Sequence, residues 1–403
     1  MTKPRRRQAG EGGISEYQTK AGPRFLIKYT DPEGRVRLKR GFPTRKAAAD
    51  ALKEILVDVK RGQYVEPAKI TLEAWMADWL DGLRLGPSTM ISYRKYTRLH
   101  ITPYLGAVTL DKLNGPMITA AYRKLEATGR ADHKKGAGLS PRTVRYTHTI
   151  LKAALKSAVQ NGKILRNPAD LASPPSAKEA RAPEMHFWTA AQLSTFLVWA
   201  LEHRPDIAPV WRLLAYTGMR RGELLALRWR EVDLDAGRLQ VRRSRSGYRD
   251  KGQGMVIHEG STKTGRGRVV DLDPETVEVL RSYRLARGAL ALQLVRPDAY
   301  VVGNENGEPI HPDRFTRRFT DSVASCQKGL GEDGPELLPA IRLHDLRHTH
   351  ASLLLGAGIP VKVVSERLGH ASATITLNTY QHVLPGMQQE AAARFAALVG
   401  GAS

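Results

Sequence analysis

Four short stretches in the second half of this 403-residue chain hold side chains suited to work on an anion: AYTGMRRGELLALRW from Ala215, STKTGRGRVVDL from Ser261, IRLHDLRHTHASLLLGAG from Ile341 and LGHASATITLNTYQHV from Leu368. In the first, Arg220 and Glu223 lie three apart at the start of a predicted helix whose buried side is Leu224, Leu225 and Leu227. A guanidinium fork at the positive end of a helix makes an anion site, with Glu223 to orient it. The plainer reading is a surface ion pair. In the second, Lys263 precedes a turn at Gly265 and Gly267 between two strands, where a flexible ammonium could donate a proton or simply be solvated. In the third, His344 and Arg347 share one helical face while Leu353, Leu354 and Leu355 run into the core. His348 and His350 raise the question of a metal, but the spacing is not that of a zinc site and no cysteine joins them, so no metal is expected. In the fourth, Gly369 closes one helix, His370 follows, and Ser372 opens the next, in which Thr374, Ile375 and Leu377 lead to Tyr380. Alone, that tyrosine reads as a packing residue.

Together, two arginines, two histidines, a lysine and a tyrosine are what a metal-free phosphoryl transfer needs. A phenol titrates near about 10 and must be activated before it attacks phosphorus. Arginines can bind the non-bridging oxygens and stabilise the extra charge of the transition state. A lysine can protonate the leaving 5′ oxygen, and histidines can move protons or hydrogen-bond the phosphate.

On these residues the chain resembles the tyrosine recombinases of the phage-integrase type, along essentially its whole length. That family carries an arginine in T-G-x-R, a lysine near a hairpin, H-x-x-R, then L-G-H with a tyrosine about ten residues on. Here these fall, in the same order, on Arg220, Lys263, His344 with Arg347, His370 and Tyr380, and Glu223 matches the acidic residue after the first arginine. The resemblance implies site-specific cutting and rejoining of duplex DNA through a 3′-phosphotyrosine link, without ATP, metal or other cofactor. It implies four protomers on two DNA sites, core and arm-type attachment sites on the DNA, and leaves room for an accessory excision factor. Two other classes were weighed: a relaxing type IB topoisomerase, which an N-terminal reader domain argues against, and a DNA-binding regulator with a decayed site, which the intact six-residue set argues against.

The rest of the chain must position these groups. Sixty-three Lys and Arg against 40 Asp and Glu give a formal charge of +23 and point to a polyanion partner. The excess is spread along the chain. A lone cysteine, Cys326, excludes an internal disulfide. No apolar run is long enough for a membrane span, and MTKPRRRQAGEGG lacks the apolar core of a secretory signal. A cytoplasmic, nucleoid-associated protein of a bacterial host is therefore expected.

The expected fold is multidomain and mainly α. Residues 1–64, with sixteen Lys or Arg against seven Asp or Glu, read as three strands and a helix. The strands are Ile14–Lys20, Phe25–Thr30 and Val36–Phe42; the helix is Arg45–Lys60, capped by Thr44, with Ala48, Leu52, Ile55, Leu56 and Val59 facing the sheet. Its free sheet face is expected to offer Lys28, Arg35, Arg37 and Lys39 to DNA, and the resemblance makes this the arm-binding domain. Residues 65–172 read as four or five helices, with basic faces at Arg94, Lys95 and Arg98 and at Arg145, Lys152 and Lys156; the resemblance makes them the core-binding domain. Residues 173–183, the end of a Pro/Ala/Ser-rich stretch, read as a linker. Residues 184–403 form the catalytic domain, mainly helical, with three short strands at Arg238–Arg243, Met255–Gly260 and Arg268–Leu272 expected to form one small sheet. A last amphipathic helix carries Leu384, Met387, Ala391, Phe395 and Leu398. In the family such a tail docks on a neighbouring protomer; packing on its own domain is the alternative.

Overall fold

The computed structural model describes residues 12–60, 69–130, 137–181, 185–250, 254–261, 267–380 and 387–400. Lys263 and Leu384 lie outside the described residues. By contacts the chain divides into two compact units, Met1–Ala182 and Pro183–Ser403.

The first unit begins with the antiparallel sheet β1 (Gly13–Thr19), β2 (Gly22–Thr30) and β3 (Val36–Phe42), backed by α1 (Arg45–Lys60). Alternation decides which face is buried: Ile27 and Tyr29 point at Ala48 and Leu52 of the helix, with Ile14, Phe25 and Phe42 around them. The register also corrects the anticipated basic face. Lys28 pairs with Leu38, and Leu26 with Arg40, so these side chains share the open face with exposed Val36. Lys39 pairs with buried Ile27 and Arg37 with buried Tyr29, which places both on the helix side of the edge strand. Arg37 donates from Nε to Asp31 at 2.8 Å, pinning the turn, and Arg35 pairs there with Glu33. Of the four, Lys28 alone projects from the open face. Sequence alternation could have found its companion Arg40, whose guanidinium lies 6.0 Å from the Tyr17 ring centre.

The helical region follows as α2 (Leu72–Gly82), α3 (Pro87–Tyr96), a π-turn at Thr97–Ile101, α4 (Thr102–Leu105), α5 (Gly115–Thr128) and α6 (Pro141–Gln160). Thr71, Asn114 and Ser140 cap α2, α5 and α6, each accepting from a backbone N–H three residues on. Leu72, Trp75 and Met76 pack on Ile150, Leu151, Ala154 and Leu155, and the Trp75 indole donates to the Ala154 carbonyl at 2.8 Å. Trp75 is a core residue, and Trp79, half-buried, packs against that core and stacks on Tyr93. Of the residues expected to contact DNA, Arg94 pairs with Asp81, Lys152 with Asp170, and Arg145 donates to the Pro175 carbonyl. Lys95 and Arg98 are exposed.

The second unit opens with α7 (Ala190–His203), closed by a Thr189–Gln192 capping box, and α8 (Ala208–Thr217). After the one-turn α9 (Arg221–Leu224) come β4 (Val232–Asp233), β5 (Arg238–Val241), β6 (Arg243–Asp250), β7 (Gly254–Ser261) and β8 (Arg268–Asp271). The small three-stranded sheet exists, in the order β4-β5-β8, but Met255–Gly260 is not part of it. That segment lies in β7, paired only with β6 as a separate two-stranded ribbon, because the unpredicted strand β6 takes its hydrogen bonds. β7 and β8, the strands on either side of Lys263, thus belong to different sheets.

The remaining helices are α10 (Pro274–Leu290), α11 (Pro312–Gly329), α12 (Gly334–Leu337), α13 (Asp345–Gly356), α14 (Val361–Leu368), α15 (Ala373–Tyr380) and α16 (Met387–Gly400). Their core is aromatic, with Trp188, Phe196, Trp211, Phe315 and Phe319 in contact. A satellite cluster of Ala351, Leu355, Val364, Leu368 and Tyr380 joins α13, α14 and α15. No helix among the described residues is long and apolar enough to cross a membrane.

Candidate active site

The site assembles where α8, β8 and α13–α15 converge. α8 ends at Gly218, whose φ of +61° is a left-handed conformation that stops the helix. Arg220 follows two residues later. Its Nη1 donates to Glu223 Oε1 at 2.7 Å, its backbone N–H to Glu223 Oε2 at 2.9 Å, and its Nη2 to the Gly369 carbonyl at 3.3 Å. The anticipated helix dipole contributes little, since α9 is a single turn and the Glu223 carboxylate already occupies its N-terminus. The anion-binding charge is the guanidinium itself.

Glu223, only 2% exposed, also accepts from Arg268 Nη2 at 2.7 Å. Burial pushes its carboxyl up, but the hydrogen bond and charge of Arg268, with those of Arg220, outweigh it and hold the group below the usual carboxylate range. Arg268 in turn donates from Nε to the Arg367 carbonyl, and Arg367 reaches His350 Nε2, the Tyr216 carbonyl and the Asp271 carbonyl. Neither Arg268 nor Arg367 was singled out from sequence. The available signal was their position, Arg268 inside STKTGRGRVVDL and Arg367 immediately before L-G-H.

Arg347, on the first turn of α13, is 3% exposed and donates from Nη1 to the Gly218 carbonyl at 2.7 Å. Burial, then the charges of Arg220 and others, bring it down to about 9, still cationic at neutral pH. Its buried Nη2 has no hydrogen-bond partner among the described residues. An unpaired buried guanidinium nitrogen is costly unless a ligand satisfies it.

His344 caps the start of α13 and its ring packs edge-on against His348, with centroids 5.1 Å apart. The residue as a whole remains exposed, yet desolvation of its ring, then the charges of His348 and Arg347, bring it down to about 4. His370 follows Gly369, which ends α14 at φ +67°. Its Nδ1 lies 2.8 Å from Thr376 Oγ1, and burial, then Arg347 and Arg220, hold it at about 4. Both imidazoles are neutral at pH 7.

Tyr380 ends α15 and is 1% exposed. Thr376 and Tyr380, one turn apart, face inward, whereas Ile375 and Leu377 are exposed and form no apolar stem beneath the ring. The ring packs instead on Ala351, Leu355, Val364 and Leu368. Burial pushes the phenol up to about 12, against the pull of Arg347 and Arg220. Its hydroxyl is 2.7 Å from His348 Nδ1, a contact the sequence reading did not foresee. No cluster of three metal-binding side chains occurs among the described residues. Of the six anticipated groups, Arg220, His344, Arg347, His370 and Tyr380 gather here with Glu223, while Lys263 lies outside the described residues.

Residues 200–386 match the family model described as "Phage integrase family". That segment carries a domain of the phage integrase family of tyrosine recombinases, enzymes that cut and rejoin DNA. The chain is 26% identical over 381 residues to a XerC-like tyrosine recombinase of Caldanaerobacter subterraneus subsp. tengcongensis, covering 90% of this chain and 92% of that protein. The Tn1549 transposon integrase in complex with transposon right end DNA shares the fold at a TM-score of 0.66 and 22% identity, over 81% of this chain and 100% of that one. A lambda integrase in a tetramer bound to a Holliday junction matches at a TM-score of 0.52 and 16% identity, over 93% and 96% of the two chains. Among tyrosine recombinases, the intact six-residue set favours an active recombinase over a regulator with a decayed site.

Proposed function

We propose that Tyr380 is the nucleophile of a site-specific integrase, attacking a DNA phosphate to leave a 3′-phosphotyrosine link and a free 5′ hydroxyl. That hydroxyl attacks the matching link on a partner duplex, so the energy of the broken bond is kept and no ATP is needed. The observation that carries the reading is the unpartnered, buried Nη2 of Arg347, set with Arg220 where both charges act on the Tyr380 phenol. These two guanidinium groups would take the non-bridging phosphate oxygens and the charge that grows on them in the transition state. His370, fixed by Thr376, and His344 would add neutral N–H donors, and Lys263 would protonate the leaving 5′ oxygen.

The same reading extends outward. Residues 1–64 would bind arm-type sites through the open sheet face around Lys28 and Arg40, and residues 65–172 would bind the core site, joined by the linker 173–183 to the catalytic domain 184–403. Four protomers would exchange strands on two duplexes, a stoichiometry supported by the likeness to the tetrameric lambda integrase. Phe395 and Val399 on α16 are exposed, as a tail that docks on a neighbouring protomer requires. An accessory factor biasing the reaction toward excision fits the same scheme.

The test is a nicked suicide duplex taken from the DNA flanking the protein's own gene. Wild type should form a covalent protein–DNA adduct and Tyr380→Phe none; an equal adduct with the Phe variant would remove Tyr380 from the mechanism. Joining of two such duplexes, as opposed to relaxation of supercoils, separates recombination from topoisomerase activity.

A further inference from the structure

We propose that His348 is the base that takes the phenolic proton from Tyr380 during strand cleavage and returns it during rejoining. The inference rests on the assignment of Tyr380 as nucleophile, but His348 lies outside the six residues that carried that assignment. It follows Arg347 directly on α13, so the residue that anchors the anion site also fixes the place of the imidazole beside it.

The geometry singles out this ring. Its Nδ1 is 2.7 Å from the Tyr380 hydroxyl, with ring centroids 5.6 Å apart and planes inclined by 58°. The other two imidazoles are committed elsewhere: His370 Nδ1 is held by Thr376 Oγ1, and His344 packs edge-on against His348. Among the described residues, the Tyr380 hydroxyl has no other hydrogen-bond partner, so with Nδ1 unprotonated the phenol is the donor and the lone pair already lies along the path of transfer. The charged and titratable groups facing this pair are His344, Asp345 and Arg347 at the start of α13, Arg220 before α9, and His370 before α15. Among the described residues no carboxylate hydrogen-bonds the phenol, so the His348 imidazole is the acceptor at hand.

The need for a base follows from burial. A phenol raised to about 12 keeps its proton at neutral pH, and a buried phenolate formed before attack would be disfavoured. Removing the proton as the bond to phosphorus forms avoids that intermediate. In cleavage the Tyr380 O–H bond breaks, the Oη–P bond forms and the P–O5′ bond breaks. His348 then carries the proton as imidazolium, and the 5′ oxygen takes a proton from a separate donor, Lys263 in the reading above. Rejoining runs in reverse: the 5′ hydroxyl gives its proton back to that donor as it attacks, and the departing Tyr380 oxygen recovers its own from His348.

The experiment follows covalent adduct formation in a single turnover with the full-length protein and the nicked duplex described above. Wild type, Tyr380→Phe, His348→Ala and His348→Asn are compared, with duplex affinity and thermal stability measured for each. Both His348 variants should bind the duplex within about threefold of wild type yet form adduct at least about a hundredfold more slowly, the usual contribution of a positioned base. Added imidazole should restore His348→Ala by about tenfold or more, and should not restore His348→Asn, whose amide fills the space without accepting a proton. Cleavage within about threefold of wild type in either folded variant, or no response of His348→Ala to imidazole, overturns the proposal. Should His348→Ala prove unfolded, the rate of His348→Asn alone decides. Absence of a Tyr380-dependent adduct in wild type would instead overturn the nucleophile assignment.

Discussion

The two sides of the active site are held by different physics. Around Arg220, a buried carboxylate locks two guanidinium groups, and a third arginine, Arg367, fixes the second of them through its backbone carbonyl. Around Tyr380, a five-residue apolar cluster and two hydrogen bonds, His348 to Tyr380 and His370 to Thr376, suffice. The charged side is organised before any phosphate arrives, and breaking it should damage the fold as well as the chemistry. The Tyr380 side is tied by an apolar cluster and side-chain hydrogen bonds, so a change there should damage chemistry while leaving the fold nearly intact.

Glu223→Gln probes the charged side most directly. Leaving Arg220 and Arg268 without their carboxylate should cost about 3–5 kcal/mol of stability, as for other broken buried pairs. Denaturant unfolding checks it, and a loss below about 1 kcal/mol would mean that the network does not organise the site. Arg347→Ala should slow adduct formation by about a hundred- to a thousandfold, the range for removing one preorganised donor from a transition state. Lysine should not rescue it, because one ammonium cannot hold the Gly218 carbonyl and a phosphate oxygen in the guanidinium's fixed geometry. Near-normal cleavage in the lysine variant would refute the fork argument.

Thr376→Val tests the neutral side. It keeps shape but removes the partner of His370, and should cost about 1 kcal/mol of stability and a roughly tenfold loss of cleavage. A stability loss as large as that of Glu223→Gln would erase the contrast between the two sides. A separate check is the effect of pH on the DNA-free protein. His344 and His370 are held at about 4 and His350, buried beside Arg367, at about 3, all below their ordinary 6.5. The unfolded chain therefore binds protons that the folded chain refuses, and stability should fall as pH drops below 6.5 toward 4. Melting temperature followed from pH 7 to about 5, above the carboxylate range, should show the decline, and His350→Gln should flatten it. A flat wild-type profile would contradict the assignment of these histidines as neutral.

Legibility in the sequence followed locality. The strand–strand–strand–helix order of residues 13–60 and the Ser140 and Thr189 caps could be read from alternation, helical spacing and side-chain chemistry acting within a few residues. Which basic residues project from the N-terminal sheet could not be read as a group, because a bulge near Phe25 and the edge position of β3 decide the facing of each. The separate β6–β7 ribbon was missed for a like reason: Arg243–Asp250 has no apolar alternation, and its pairing comes from its partner strand.

The sequence by itself supplied the candidate residues. Arginine, histidine and tyrosine types in that order suit an attack on phosphorus, and the segments that carry them form their helices through local caps and glycines such as Gly218 and Gly369. Tertiary structure alone decided how the set is held together and which neighbours join it. Glu223 is shared with Arg268 across 45 residues, Arg347 is anchored to a carbonyl 129 residues away, and His348 meets a hydroxyl 32 residues on. Contacts at such separations leave no periodicity in the chain, because they exist only once separate helices and strands have packed and burial has made each unpaired charge expensive.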